Sequence, residues 1–288
     1  MESKHTKWLL LAALALIWGS SFILIKRGLV GLNPFQVGSL RMLFAAAFLL
    51  LFCFKSLAQI PRNKWKYIAL TALTGTFVPA FLFAIAQSEI DSSISAILNS
   101  LTPLNALILG VMFFGLAFQR NQFVGVVIGL AGSLLLILSG ASHNPDQNYF
   151  YALFVVVATL CYAANVNFIK KYLSDVNPIS ITTGNFAVLA IPALVILSGT
   201  GFFGQISESN VQHSVMFIAI LGIVGTGIAN ILFFKLIQMT SPVFAASSAY
   251  LFPVVAIFWG VLDGEDLGWI QLVGGIIILL GVYLSSKK

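Results

Sequence analysis

The sequence predicts an all-α polytopic membrane protein with ten transmembrane helices, arranged as two inverted five-helix repeats. Three observations support this fold class. The chain of 288 residues is 59% hydrophobic and only 8% charged, whereas a soluble domain carries about 25% charged residues. Its apolar residues form stretches of the length that a bilayer requires. The second half of the chain also repeats the first half at nearly constant spacing.

A transmembrane helix needs about 20 mostly apolar residues, and ten such spans follow one another with short interruptions. We predict the spans at 8–25, 34–54, 66–86, 93–113, 122–140, 149–169, 179–197, 214–235, 243–262 and 269–285. Turn signals such as Asn33-Pro34 and Asn177-Pro178 separate them. No interruption is long enough to hold a soluble domain, so we expect the spans to form the whole fold.

The two halves of the sequence align without a gap over 18–50 and 162–194, at an offset of 144. A second aligned region follows at an offset of 150. The paired residues include Lys26 and Lys170, Asn33 and Asn177, Arg41 and Asn185, and Gly75-Thr76 and Gly225-Thr226. We therefore predict a first five-helix repeat at 1–141 and a second at 145–288. Because five is odd, the second repeat must be inverted, which is typical of transporters with two mirrored conformations.

The basic residues predict the orientation of the chain. Twelve Lys and Arg residues fall in loops on the side of the N-terminus, and only Lys26 and Arg27 fall in loops on the other side. The positive-inside rule then places both termini in the cytoplasm. We expect a multi-pass protein of the inner cell membrane, surrounded by the lipid bilayer. The net charge of +6 is a topology signal, so we expect no nucleic-acid partner.

Arg41 is the charged residue that lies well within a predicted span. Two interpretations stay open. Its guanidinium can anchor a substrate carboxylate in bidentate geometry, or the side chain can snorkel outward or hold the carbonyls at a helix end. The paired Asn185 is uncharged, so an electrostatic role would belong to the first repeat alone.

Span four carries a stripe of polar residues at steps of three, four and three, which places them on one helical face. The stripe consists of Ser92, Ser95, Asn99 and Thr102. Interhelical polar packing is one explanation. We favour a cavity wall, because four polar residues exceed what packing needs. The matching positions of span nine are apolar, so the two walls should differ in polarity.

Other spans supply aromatic and polar residues that we expect around the same cavity. They are Trp18 and Phe22 in span one, Tyr162 and Asn165 in span six, Thr226 and Asn230 in span eight, and Tyr250 in span nine. Together with Arg41, Ser95, Asn99 and Thr102, they form the predicted substrate-binding set. For any single aromatic residue, contact with lipid is the alternative.

Glycines mark spans five and ten as structural. The residues concerned are Gly125, Gly129 and Gly132 in span five and Gly274, Gly275 and Gly281 in span ten. Small residues at such spacing permit close helix packing. We expect these helices to form a scaffold or a homodimer surface.

No Asp, Glu or His lies inside any of the predicted spans. Proton-driven carriers commonly use such a group, so we expect uniport or exchange without proton coupling. Motifs for zinc proteases, serine hydrolases and phosphate-binding loops do not occur. We therefore expect no enzyme activity, no metal and no cofactor.

Several short motifs resemble a known family when they are taken together in order. They are Trp18-Gly19-Ser20-Ser21-Phe22 with Lys26, then Pro34 and Arg41, then Pro103, and finally Gly264-Glu265 followed by Gln271 and Gly274. In this order the chain resembles the ten-span EamA-type carriers of the drug/metabolite transporter superfamily. One departure is Phe114-Gly115-Leu116, where members of the family often carry Gly-Glu.

This resemblance implies a helical bundle in which spans one, three, four, six, eight and nine surround a central cavity. Spans five and ten would support the bundle, and spans two and seven would move with the gating helices. The implied function is alternating-access transport of a small-molecule substrate, an amphipathic metabolite such as an amino acid or derivative, with export as the expected direction.

Two alternatives remain open at this point. A sugar-phosphate or nucleotide-sugar carrier would need several buried Lys or Arg residues, and Arg41 alone argues against it. A non-transporting membrane scaffold or lipid-handling protein would not need a substrate cavity.

Overall fold

The computed structural model describes residues 2–117, 120–141, 148–263 and 269–286, and every regular secondary-structure element in those residues is a helix. The long helical segments are α1 (Glu2–Gly28), α2 (Pro34–Cys53), α3 (Arg62–Gln87), α4 (Ser92–Phe114), α5 (Arg120–Ala141), α6 (Ala152–Tyr172), α7 (Pro178–Gly199), α8 (Ser209–Met239), α9 (Pro242–Leu262) and α10 (Trp269–Ser286). The predicted motif Gly264-Glu265 lies outside the described residues.

Within the described residues, eight segments are long and apolar enough to cross a membrane, namely all of these except α5 and α10. The predicted all-α membrane fold is therefore confirmed for this part of the chain. The count of ten spans and the inversion of the second repeat stay predictions.

The repeated Asn-Pro pairs mark helix starts. At the start of α2, the Asn33 side chain accepts a hydrogen bond from the Gln36 backbone N–H at 2.9 Å, and the Gln36 side chain accepts one from the Asn33 backbone at 2.9 Å. At the start of α7, the Asn177 side chain accepts from the Ile179 N–H at 2.9 Å. Each cap pairs backbone donors that the helix itself leaves free.

Both α3 and α8 contain a π-helical segment, at Leu73–Phe77 and at Ile223–Ile228. The segments include the paired Gly75-Thr76 and Gly225-Thr226 of the two repeats. Such segments are frequent at functional sites because they interrupt the regular helical hydrogen bonds. The repeated sequence therefore produces the same local irregularity twice.

A second irregularity lies in α4 and α9, which contain 3-10 turns at Asn99–Leu101 and Ser247–Tyr250. A proline follows each turn, Pro103 in α4 and Pro253 in α9, and proline removes a regular backbone hydrogen bond. The changed helical phase separates residues that a regular helix would place on one face.

Gly281 of α10 packs against Gly125 and Gly129 of α5 within the chain. A Cβ atom at Gly281 would lie 2.5 Å from the Gly129 nitrogen and 2.7 Å from the Gly125 oxygen. Only glycine permits this approach of the two backbones. The predicted close packing through these glycines therefore occurs within one chain. A homodimer through the same helices stays a prediction. Elsewhere, α2 and α7 pack through a buried apolar cluster that includes Met42 and Phe186.

Candidate functional site

A cavity lies among α1, α2, α3, α4, α6, α8 and α9. It comprises about 790 Å³, including the open space at its mouth. Its aromatic border consists of Trp18, Phe22, Phe83, Tyr162, Phe233 and Phe252, and its polar border of Ser21, Arg41, Thr76, Asn99, Thr102, Asn165, Thr226, Asn230 and Ser248. The cavity therefore combines apolar walls with a limited set of polar groups, as small-molecule sites commonly do.

Arg41 points into this cavity from α2. Its Nε donates a hydrogen bond to the Thr226 Oγ1 at 2.6 Å, and the Thr226 hydroxyl donates to the Leu221 carbonyl at 2.9 Å. Because the only hydrogen of that hydroxyl is directed to Leu221, its oxygen is available to accept from the guanidinium. The π-helical segment of α8 thus fixes the hydroxyl that orients Arg41.

The terminal nitrogens of Arg41 make no hydrogen bond with the described residues. The ion pairs among those residues involve other cations, Lys26, Arg27 and Lys64. Of the two interpretations of Arg41, the geometry agrees with a guanidinium exposed to the cavity rather than with one that holds the carbonyls at a helix end.

The three asparagines of the cavity differ in their hydrogen bonding. Asn99 accepts from the Thr102 hydroxyl at 3.1 Å, so its carbonyl oxygen is already engaged. The Asn165 amide lies against Gly75, because a Cβ atom at Gly75 would be 2.5 Å from the Asn165 nitrogen. The Asn165 amide oxygen is enclosed by protein and has no hydrogen-bond partner among the described residues. Asn230 is only 7% exposed, and its amide has no hydrogen-bond partner among the described residues.

The aromatic residues form a continuous wall. The ring centroids of Trp18 lie 4.8 Å from Phe233 and 5.7 Å from Phe252, both edge to face. On the other side, Phe83 stacks on Tyr162 at 5.9 Å. The Trp18 indole N–H donates to the Gly225 carbonyl at 2.8 Å, so the indole nitrogen is hydrogen-bonded to the α8 backbone. Such contacts hold aromatic side chains in defined orientations.

The structure brings together all of the predicted substrate-binding residues except Ser95 and Tyr250. Trp18, Phe22, Arg41, Asn99, Thr102, Tyr162, Asn165, Thr226 and Asn230 border the cavity. Ser95 is fully buried, and its hydroxyl has no hydrogen-bond partner in the part of the chain that the structure describes. The 3-10 turn that begins at Asn99 changes the helical phase between Ser95 and the cavity-lining part of α4.

Tyr250 packs against the scaffold helix α5 instead of the cavity. It is fully buried, its ring lies against Gly129, and its hydroxyl donates to the Val126 carbonyl at 3.4 Å. The prediction that Tyr250 lines the cavity is therefore wrong, because the 3-10 turn of α9 directs this side chain to α5.

The sequence pattern did not assign Phe83, Thr76 and Ser248 to the site. Thr76 had a signal, because Gly75-Thr76 is repeated as Gly225-Thr226 and the second threonine was assigned. Phe83 is one of 25 phenylalanines, so its identity alone could not distinguish it. Ser248 lies in the irregular turn of α9, where periodicity does not predict direction.

Ion pairs lie at both ends of the bundle. At one end, called here the Asp263 end, the Asp263 carboxylate binds Lys26 at 2.9 Å and also Arg27. At the opposite end, the Asp175 end, Lys64 binds the Asp175 carboxylate at 2.7 Å. Hydrogen bonding from Lys26 lowers the pKa of Asp263, and hydrogen bonding from Lys64 lowers the pKa of Asp175. Both carboxylates are therefore ionised and paired at neutral pH.

Comparison with known proteins shows similarity over nearly the whole chain. A model of the EamA-like transporter family matches residues 6–138 and 149–287. An uncharacterized transporter of Archaeoglobus fulgidus is 27% identical over 98% of this chain and 99% of its own length. The uncharacterized inner membrane transporter YedA of Escherichia coli is 28% identical, over 96% and 92%.

A protein of Salmonella typhimurium named as a probable amino-acid metabolite efflux pump is 25% identical, over 93% of this chain and 91% of its own length. A solved crystal structure with 15% sequence identity covers 98% of this chain and 96% of that chain, with a TM-score of 0.75. Similarity at that identity shows a shared fold.

Proposed function

The chain belongs to the EamA-like transporter family and is a multi-pass membrane transporter, and on that premise we propose that it carries a small amphipathic carboxylate, an amino acid or derivative. The proposed transport is by alternating access in the direction of export. The proposed setting is the inner membrane with both termini in the cytoplasm, and the proposed architecture is ten spans in two inverted repeats.

The observation that carries this proposal is that few partners compensate the charge of Arg41. A buried charge is costly unless an opposite charge or several hydrogen bonds compensate it. The guanidinium has one hydrogen bond, to Thr226, and no carboxylate partner among the described residues. A guanidinium fork matches a carboxylate in bidentate geometry. A substrate carboxylate would therefore supply the missing partner.

The remaining walls support an amphipathic substrate of low charge. The aromatic residues around Trp18 and Tyr162 suit an apolar body, and the asparagines suit a polar group. A sugar phosphate or nucleotide sugar would bring two or more negative charges, whereas Arg41 is the single cation among the described residues that border this cavity. The name of the Salmonella typhimurium relative, a probable amino-acid metabolite efflux pump, points to the same class of substrate.

Equivalent contacts at the two ends support the proposal of inverted repeats. Lys64 contacts Asp175 at 2.7 Å at one end. At the other end, the Gly31 N–H donates to the Ser214 hydroxyl at 3.0 Å. Ser214 lies at the offset of 150 from Lys64, and Asp175 lies at the offset of 144 from Gly31. Mirrored contacts of this kind would allow each end to open in turn.

Counterflow in proteoliposomes tests the proposal. Vesicles loaded with an unlabelled compound should take up the same labelled compound, and a panel would contain amino acids, their derivatives, sugars and nucleotides. We expect flux for carboxylates with an apolar body and its loss in Arg41→Gln. Flux of sugars or nucleotides alone, or flux that is unchanged in both Asn99→Ala and Asn230→Ala, would contradict the proposed site.

The same vesicles test the proposal that transport is not coupled to protons. Within the described residues, the cavity border includes no Asp, Glu or His. An imposed pH gradient should therefore fail to drive uphill accumulation of the substrate found in the counterflow assay. Accumulation that a proton ionophore abolishes would refute this part of the proposal.

A further inference from the structure

The cavity offers a bound molecule one formal charge. Arg41 is the only ionised side chain among the described residues that border it. The carboxylates of Asp263 and Asp175 lie at the two ends of the bundle, where Lys26 and Lys64 bind them. From the described residues, a substrate in the cavity therefore meets a fixed positive charge and no fixed negative charge.

On α8, the described border of the cavity also includes a neutral polar group, the Asn230 amide. Asn230 lies four residues after Thr226 in α8, two residues beyond the end of the π-helical segment. Arg41 extends from α2 and binds the Thr226 hydroxyl of α8 at 2.6 Å. The guanidinium therefore lies against one turn of α8, and Asn230 belongs to the next turn. The Asn230 amide can donate a hydrogen bond to a polar group of the substrate or accept one from it. The amide is uncharged, so it cannot neutralise a charge on the substrate.

These two groups treat anions and zwitterions differently. A substrate with one carboxylate and no other charge neutralises Arg41, so the loaded cavity is neutral. A zwitterionic amino acid adds an ammonium that Arg41 repels, and the described residues of the border offer it hydroxyls, amides and aromatic faces but no carboxylate. Wherever binding removes water from the ammonium, both this repulsion and the lost hydration oppose binding.

We infer that the cavity selects carboxylates of net charge −1, whose amino group is absent, replaced by a hydroxyl or acylated, over zwitterionic amino acids. This inference rests on the proposed function, since it concerns the substrate of the same site. Arg41 would bind the carboxylate, and Asn230 would hydrogen-bond the hydroxyl or the acylated nitrogen. Within the proposed class, the derivatives of amino acids are then the substrates and the free amino acids are not.

Ligands with one common body test the charge rule. The set is phenylalanine as the zwitterion, N-acetylphenylalanine and 3-phenyllactate as anions, and phenethylamine as the cation. A parallel set uses leucine, N-acetylleucine and 2-hydroxy-4-methylpentanoate, so that either body size is covered. Binding to the purified protein is measured by thermal stabilisation in detergent, and transport is measured by counterflow.

We expect at least one of the two anions in a set to bind at least tenfold more tightly than the zwitterion, and the cation not to bind. A zwitterion that binds as tightly as the anions, or more tightly, overturns the inference.

Two matched variants separate charge from hydrogen bonding. Asn230→Asp adds a negative charge to the cavity border that also contains Arg41, and it should abolish or reverse the tenfold preference for the anion. Asn230→Leu removes the amide without adding a charge, so it should keep the preference for the anion over the zwitterion. An unchanged ratio in Asn230→Asp, or a lost preference in Asn230→Leu, contradicts the inference.

The outcomes also distinguish the inference from the proposed function. If zwitterionic amino acids show counterflow that depends on Arg41 and the anions do not, the proposed function stands and the charge rule falls. If no carboxylate of either set or of the wider panel binds or is transported, the proposed function itself falls.

Discussion

Replacing Thr226 by Val removes one hydroxyl from the cavity wall and keeps the shape of the side chain. That hydroxyl accepts from the Arg41 Nε at 2.6 Å and donates to the Leu221 carbonyl at 2.9 Å. A hydrogen bond to a charged group contributes about 1.5–3 kcal/mol. If Thr226 orients Arg41 for the substrate, this loss lowers the affinity for a carboxylate by roughly 10- to 140-fold.

The assay is competition by a carboxylate ligand in counterflow, with affinity and maximal flux determined separately. Thr226→Ser is the matched control, because it keeps the hydroxyl and loses only a methyl group, and its affinity should stay within about threefold of the unsubstituted protein. Wild-type affinity in Thr226→Val would refute the positioning role. Equal losses in both variants would assign the effect to packing of the methyl group, which also contradicts the reasoning.

Three further predictions concern packing, pH and the border of the cavity. In Gly281→Leu, the new side chain would overlap the Gly129 backbone, 2.5 Å from the new Cβ; overpacking should cost about 1–3 kcal/mol or more, seen as a lower melting temperature in detergent. Hydrogen bonding from Lys26 lowers the pKa of Asp263, so this ion pair should stabilise the fold at pH values above the ordinary carboxyl pKa of about 3.9. The stabilisation should be about 1 kcal/mol or less, and it should disappear as the pH falls through the lowered pKa of Asp263. The loss should be absent in Asp263→Asn, and an identical melting profile in acid would contradict it. Tyr250→Phe should leave the affinity for transported carboxylates within about twofold, because the Tyr250 hydroxyl binds the Val126 carbonyl outside the cavity. A larger change in the affinity measured by counterflow would show that Tyr250 contributes to substrate binding.

The sequence predicted the helices closely because length and apolar composition suffice to recognise a helix in a bilayer. Span three, predicted at 66–86, corresponds to the segment Arg62–Gln87, and span nine, predicted at 243–262, corresponds to Pro242–Leu262. The predicted turns at Asn33-Pro34 and Asn177-Pro178 are helix caps. These features depend on local chemistry, which a single sequence contains.

Most of the site was also predictable, since a polar residue in an apolar span needs a polar environment. From the sequence alone, that rule predicts Arg41, Asn99 and Asn230 at the cavity, where all three lie. It does not distinguish a residue that faces a cavity from one that faces another helix, and for Tyr250 the choice was wrong. The 3-10 turns of α4 and α9 change the direction of side chains by an amount that regular periodicity does not contain.

By itself, the sequence determined that the chain is an all-helical membrane protein and that polar residues recur at related places in its two halves. The tertiary structure decided which of those residues meet. It placed Arg41 of α2 on Thr226 of α8, 185 positions apart in the chain. It also placed Gly281 of α10 against Gly125 and Gly129 of α5. The physical reason is that composition and spacing report how one helix interacts with lipid, whereas the partner of a buried polar group depends on how distant helices pack.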